Sequence, residues 1–295
     1  MNCTLRSRSL PTWCASAMLL VVASTAALPA RAQGIDSLAQ FRNDVWKQTD
    51  SGTVTPIGSF FGQRANTYST ELSGGVFSDP FGNSFPLTLA GFVTDPVGLL
   101  KAYDYQTGYF ANRAAMDAAF GLGTYRATLT GSGTTTAGAS ITADSLDRYA
   151  NNLPQLSGDS FSRLQGADAA TDLTVTFDAT NNLGVTGVNG SYIFFKVMAS
   201  DGAVVFARDF QPDSLTSVTI PAQTLLPGAS YRFDLDYSNR TIVPAEGGAV
   251  RPGTLAYDVR VFGNFATAAA VPEPQSLWLM AVGGLALVAW KRRRA

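Results

Sequence analysis

The chain has 295 residues, 46% hydrophobic and 15% charged, with a formal net charge of −1. Ordinary apolar content and a balanced charge exclude a disordered chain, and the length suits two average domains of about 100–200 residues each. There is no histidine, and the two cysteines, Cys3 and Cys14, stand near the start. A Ser-His-Asp triad and a histidine-ligated metal are therefore excluded.

Residues 1–32 read as a secretory signal peptide. Arg6 and Arg8 form a basic start, Met18 to Ala23 an apolar stretch, and Ala30-Arg31-Ala32 a small-x-small cleavage site. Cleavage after Ala32 leaves Gln33 first and removes both cysteines, hence any thiol nucleophile. The apolar stretch is short for a membrane anchor, which needs roughly 20 residues. The implied route is the Sec translocon.

The exported part, residues 33–270, has lost seven basic residues and one glutamate to the two ends. It keeps 14 basic and 21 acidic residues, net −7. Such a surface is a poor match for nucleic acid. Without cysteine it must rely on its apolar core.

The expected fold is all-β, in two parts. Residues 33–165 read as a mostly-β region with two short helices. Ile35, Leu38, Phe41 and Val45 are spaced 3, 3 and 4, which predicts a helix over 35–49, capped by Asp36 or Ser37. A second helix is predicted at 113–120, with Asn112 as cap and Gly121 as stop. Phe85, Leu87 and Leu89 alternate as in a strand, as do Tyr125, Ala127 and Leu129. Gly131 to Gly138 reads as a Gly/Thr loop, and 151–158 as irregular.

Residues 166–267 carry the regular pattern of an immunoglobulin- or fibronectin-III-like sandwich. Strands are predicted at Leu173–Phe177, Tyr192–Met198, Val204–Ala207, Val218–Ile220, Tyr231–Tyr237 and Tyr257–Val261. Asp201-Gly202 signals a two-residue hairpin turn. The order Thr219-Ile220-Pro221, Leu226-Pro227-Gly228, Tyr231 resembles the corner between the fifth and sixth strands of such modules.

Chemistry is sparse, and neither a catalytic set, a metal site nor a cofactor is expected. Asp50-Ser51-Gly52 matches an aspartic-protease triplet but has no second copy, so a plain turn is the better reading. Asp234-Leu235-Asp236 with Ser238 and Asn239 hints at a calcium loop. It lacks the loop glycine, and its alternation with Tyr231, Phe233 and Leu235 indicates a strand face. Glu71 and Glu246 are the only glutamates of the exported part, and a glycosidase needs two carboxylates flanking a cleft. The best ligand candidates are Tyr103, Tyr105 and Tyr109. On a strand the first two share a face, and aromatic faces beside polar groups suit sugar rings.

Residues 268–295 hold the most specific pattern. Val271-Pro272-Glu273-Pro274 precedes an apolar stretch, Leu277 to Trp290, and the chain ends Lys291-Arg292-Arg293-Arg294-Ala295. The apolar stretch predicts one transmembrane helix over 277–290, short for a bilayer core of about 30 Å. The basic residues 291–294 act as a cytoplasmic stop. Together Pro272-Glu273-Pro274, the apolar stretch and the basic tail resemble the PEP-CTERM sorting signal. The resemblance covers about 25 residues. It implies processing by an exosortase, an integral membrane enzyme of Gram-negative bacteria whose genomes also make exopolysaccharide. It implies a protein anchored transiently in the inner membrane and then held at the cell surface or released. It implies nothing about the activity of the exported part.

Two readings of that part remain. One is a non-enzymatic surface or matrix protein associated with exopolysaccharide in a biofilm. The other is a lectin-like binder or a carboxylate-dependent hydrolase.

Overall fold

A computed structural model describes residues 34–95, 98–131, 136–180 and 185–270. The signal-peptide residues Ala30 and Ala32, the motif 272–274, the apolar stretch 277–290 and the basic tail 291–294 lie outside the described residues.

The described part is mainly strand. Its first half holds β1 (Ser37–Gln48), β2 (Val54–Thr67), β3 (Leu72–Ser78), β4 (Ser84–Asp95), β5 (Gly98–Gln106), α1 (Arg113–Ala119), β6 (Gly123–Gly131) and β7 (Thr136–Ala143). The second half holds α2 (Ser160–Leu164), β8 (Leu173–Thr176), β9 (Gly190–Ala199), β10 (Val204–Pro212), β11 (Ser217–Ile220), β12 (Ser230–Val243), β13 (Ala245–Gly247) and β14 (Gly253–Ala266). Twelve strands form one sheet in the order β10-β9-β12-β14-β1-β2-β5-β4-β3-β6-β7-β13, and β11 and β8 form a separate pair.

The segment predicted as a helix over 35–49 is β1. Backbone pairing on both edges, antiparallel with β2 and parallel with β14, outweighs the 3.6-residue period of its apolar residues. Gln40, Arg42 and Asp44 of this strand are buried. The helix at 113 forms as expected, and Asn112 Oδ1 accepts from the Ala115 amide at 2.9 Å. The second short helix is α2, not the first segment.

Four strands, β2, β3, β7 and β13, lie where none were read. β2 is long and pairs β1 with β5. β7 begins at Thr136, inside the stretch read as a loop. Ala137, Ala139, Ile141 and Ala143 all point to the core on alternate positions. Gly253 sits so close to this strand that a Cβ there would meet Ile141 Cγ2 at 2.3 Å. The long sheet therefore curls until β7 lies against the start of β14.

The later strands fall where the alternation puts them. Asp201-Gly202 makes the β9–β10 turn, with the Ala199 amide bonded to the Ala203 carbonyl and Gly202 at φ 84°. Ile193, Phe195 and Val197 of β9 pack with Phe233, Leu235 and Tyr237 of β12 and Val259 of β14. The β8–β11 pair and α2 cover them as a second layer: the Phe177 and Phe195 rings stack 6.4 Å apart, and Phe161 meets Phe233 edge-on at 6.2 Å. At the corner before β12, the Leu226 amide donates to Tyr231 Oη at 2.7 Å. That is the hydrogen-bonded tyrosine of a sandwich corner.

Candidate functional site

β5 places the tyrosines singled out from sequence. Tyr103 and Tyr105 share the inward side, as period-2 geometry requires. Tyr103 is fully buried, and its hydroxyl donates to the Leu72 carbonyl at 2.7 Å. It is a core residue, not a surface platform. Tyr105 is half-buried between Phe77 and Phe85, each ring 4.9 Å away. Burial pushes both phenols above their ordinary range, so both stay neutral.

Tyr109 lies beyond the strand on a loop tied to β2. The Phe110 amide donates to the Ser59 carbonyl at 2.7 Å and the Ser59 amide returns the bond at 3.0 Å. The Phe61 amide donates to Thr107 Oγ1 at 3.0 Å. These bonds hold Tyr109 edge-on to Phe60, 5.8 Å between centroids, while it stays 59% exposed.

Tyr105 and Tyr109 line one open cleft of about 740 Å³. Phe81, Phe85, Phe110 and Phe120 line it with them, along with Asp79, Asn83, Gln106 and Thr107. Phe81 stands 62% exposed at its rim. The β3–β4 turn fixes that ring: Asp79 Oδ1 accepts from the Phe81 and Asn83 amides at 2.9 and 2.8 Å, and Asp79 Oδ2 accepts from Asn83 Nδ2 at 2.8 Å. Phe81 and its partners were missed from sequence. The signal was Asp79-Pro80-Phe81-Gly82-Asn83, a turn run between two alternating segments.

Behind the cleft, Arg42 of β1 anchors α1. Its guanidinium pairs with Asp117 at 2.7 Å and donates to the Phe120 carbonyl at 2.6 Å. Asp44 accepts from Ser59 Oγ at 2.9 Å and pairs with Arg113 at 2.7 Å. A buried polar girder thus holds β1, β2 and α1 together under Phe120.

The other sequence candidates have structural roles. Asp50 Oδ1 caps the β1–β2 turn, accepting from the Gly52 and Thr53 amides at 2.8 and 2.7 Å, and these bonds lower its pKa. Asp234 is gripped by Arg260 through two bonds of 2.8 and 2.5 Å. Among the described residues no group of three or more acids, histidines or cysteines could hold a metal ion. Glu71 and Glu246 are exposed and do not line the cleft. Asp79 is its one carboxylate, and both its oxygens are engaged. The cleft can therefore stack rings and offer amide and hydroxyl groups, with no free acid–base pair in its lining.

Comparison with known proteins gives one match by family and several by shape. The PEP-CTERM protein-sorting motif matches residues 270–294. No curated protein matches the chain. The FN1–FN3 domains of chicken CNTN1 superpose with a TM-score of 0.24 and 7% identity, covering 80% of this chain and 68% of that one. The BSP domain of a biofilm-associated protein gives 0.19 and 11%, covering 73% of this chain and 28% of that one. A tetra-tandem repeat from a large adhesion protein gives 0.19 and 16%, covering 79% and 50%. Likeness at this level carries no argument about function.

Proposed function

We propose that the exported part is a non-enzymatic surface or matrix protein, and that the cleft between Phe81 and Tyr109 holds extracellular polysaccharide. The PEP-CTERM motif at 270–294 marks the chain as an exosortase-targeted protein of the cell envelope. In this reading the chain leaves through the Sec translocon and is anchored in the inner membrane through 277–290. It then reaches the surface after processing.

The observation that carries the ligand class is the cleft itself. Two exposed rings, Phe81 and Tyr109, stand on braced turns at its rim, with Gln106, Asn83 and Thr107 between them. Ring faces pack on the C–H groups of a pyranose, and amides and neutral hydroxyls bond its hydroxyls. The absence of a free carboxylate pair in the lining favours holding over hydrolysis.

The test is retention of residues 33–270 on the host's own polysaccharide. Tyr109→Ala and Phe81→Ala should each lower affinity about tenfold, or ~1.4 kcal/mol, without moving the melting temperature. Equal retention of both variants would remove the cleft from the proposal.

A further inference from the structure

β14 hands the chain to the sorting signal with almost no slack. Thr267 is pinned on both sides: its amide donates to the Ala229 carbonyl at 3.0 Å and its hydroxyl donates to the Leu226 carbonyl at 2.6 Å. The Ala268 amide donates to the Ala167 carbonyl at 2.9 Å, and the Ala268 carbonyl accepts from the Gly228 amide at 2.7 Å. The backbone is therefore fixed through Ala268, four residues before Pro272. Four residues reach at most about 14 Å, at about 3.3–3.6 Å each.

Nor can β14 lend upstream residues. It is paired to its very end with β12 on one edge, and with β1 over 254–262 on the other. Exposing its end to an enzyme would strip ladder bonds from the middle of the sheet.

An enzyme that grips the backbone at Pro272-Glu273-Pro274 must therefore approach within about 14 Å of this end of the domain. Three loops form it: the turn over 226–229, the β9–β10 turn over 200–202, and the segment 165–168 after α2. Leu226 projects there at 68% exposure, although its backbone is bonded on both sides, to Tyr231 and to Thr267. An open cleft of about 660 Å³ lies at the same end, lined by Met198, Ser200, Gly202, Tyr231 and Phe265 among others.

We infer that the Leu226 turn and the neighbouring Ser200 turn form the docking surface for the membrane-embedded enzyme that processes the C-terminal signal. This rests on reading 270–294 as a sorting signal. The occupant follows from the tether: a span of four residues brings the body that holds the motif against this end, and an exposed leucine on a braced turn gives it an apolar foothold.

The test uses the full chain in its native host, with conversion of precursor to processed form followed by intact mass after a pulse. Leu226→Asp and, independently, Ser200→Arg should slow conversion at least about fivefold with an unchanged melting temperature. A twelve-residue Gly/Ser insertion between Ala269 and Ala270 separates motif from domain, and in that background Leu226→Asp should have no further effect. Wild-type conversion in both single variants would overturn the inference. So would an equal slowing of Leu226→Asp with and without the insertion, which would point to folding or to a lipid contact. Glu273→Ala is the separate control: wild-type conversion in that variant would mean that the sorting reading itself has failed, whatever Leu226 does.

Discussion

Asp236 and Asp258 lie diagonally across the β12–β14 pair on one side of the sheet, and each keeps a buried carboxylate oxygen that meets no donor. Asp258 is only 7% exposed. Burial pushes both carboxyls above the ordinary range, and the charge of Asp258 raises Asp236 further. Arg260 and Arg240 offset part of this, and Ser238 bonds to Asp258.

The consequence is that the contribution of this pair to stability falls as pH rises. With both folded pKa values raised, the folded chain holds protons that the unfolded chain has released. The contribution is fully present below about pH 4, the unfolded value, and is lost as pH rises through the folded values. Asp236→Asn should flatten this slope and raise the melting temperature near pH 7 by about 2–4 °C, some 1 kcal/mol for a domain of this size. Melting curves of wild type and variant between pH 4.5 and 8 check it. Parallel curves would contradict the coupling.

Arg42 offers a harsher substitution. Its side chain is buried and bonds to Asp117, Phe120 and Tyr125. Arg42→Ala should cost about 3–5 kcal/mol, because Asp117 is left without its partner. Urea unfolding followed by fluorescence measures this conveniently, since Trp46 is the one tryptophan between residues 33 and 270.

The curl of the sheet can be tested at Gly253. Gly253→Ala pushes a methyl into Ile141 Cγ2 and should destabilise by about 1–3 kcal/mol. Ile141→Ala removes the opposing atom, so a double-mutant cycle should show about 1 kcal/mol or more of favourable coupling. Additive costs would mean that β7 does not lie against β14.

Thermal melts of the exported part should coincide with and without chelator, and with and without thiol reductant. Residues 33–270 contain no cysteine or histidine, and among the described residues no cluster of acids could hold a metal. A large drop with chelator alone would point to a cation held by backbone and aspartate oxygens.

What could be read from sequence tracks how cleanly apolar and polar residues alternate along a strand. β12 has a clean alternation of Tyr231, Phe233, Leu235 and Tyr237 against charged neighbours, and the strand lies where that pattern puts it. β1 carries buried polar residues on both sides, Arg42 and Asp44 among them in specific bonds, so its apolar spacing imitates a helix. β7 packs through alanines, too small to register as apolar alternation in a Gly/Thr-rich stretch. The candidate site divides the same way. Tyr105 and Tyr109 were legible as aromatics near polar groups. Their partner Phe81 comes from a turn some twenty-five residues upstream, brought near only by the β3–β4–β5 pairing.

The parallel seam between β1 and β14 joins the first described strand to the last, over more than two hundred residues of chain. Contacts so distant form slowly, because a large loop must close before they are gained. A nascent chain makes β1 long before β14, so its inner edge stays open until the final strand emerges. Completion of the sheet is then tied to synthesis of the sorting signal, which follows β14 within a few residues. The address arrives as the fold becomes able to close.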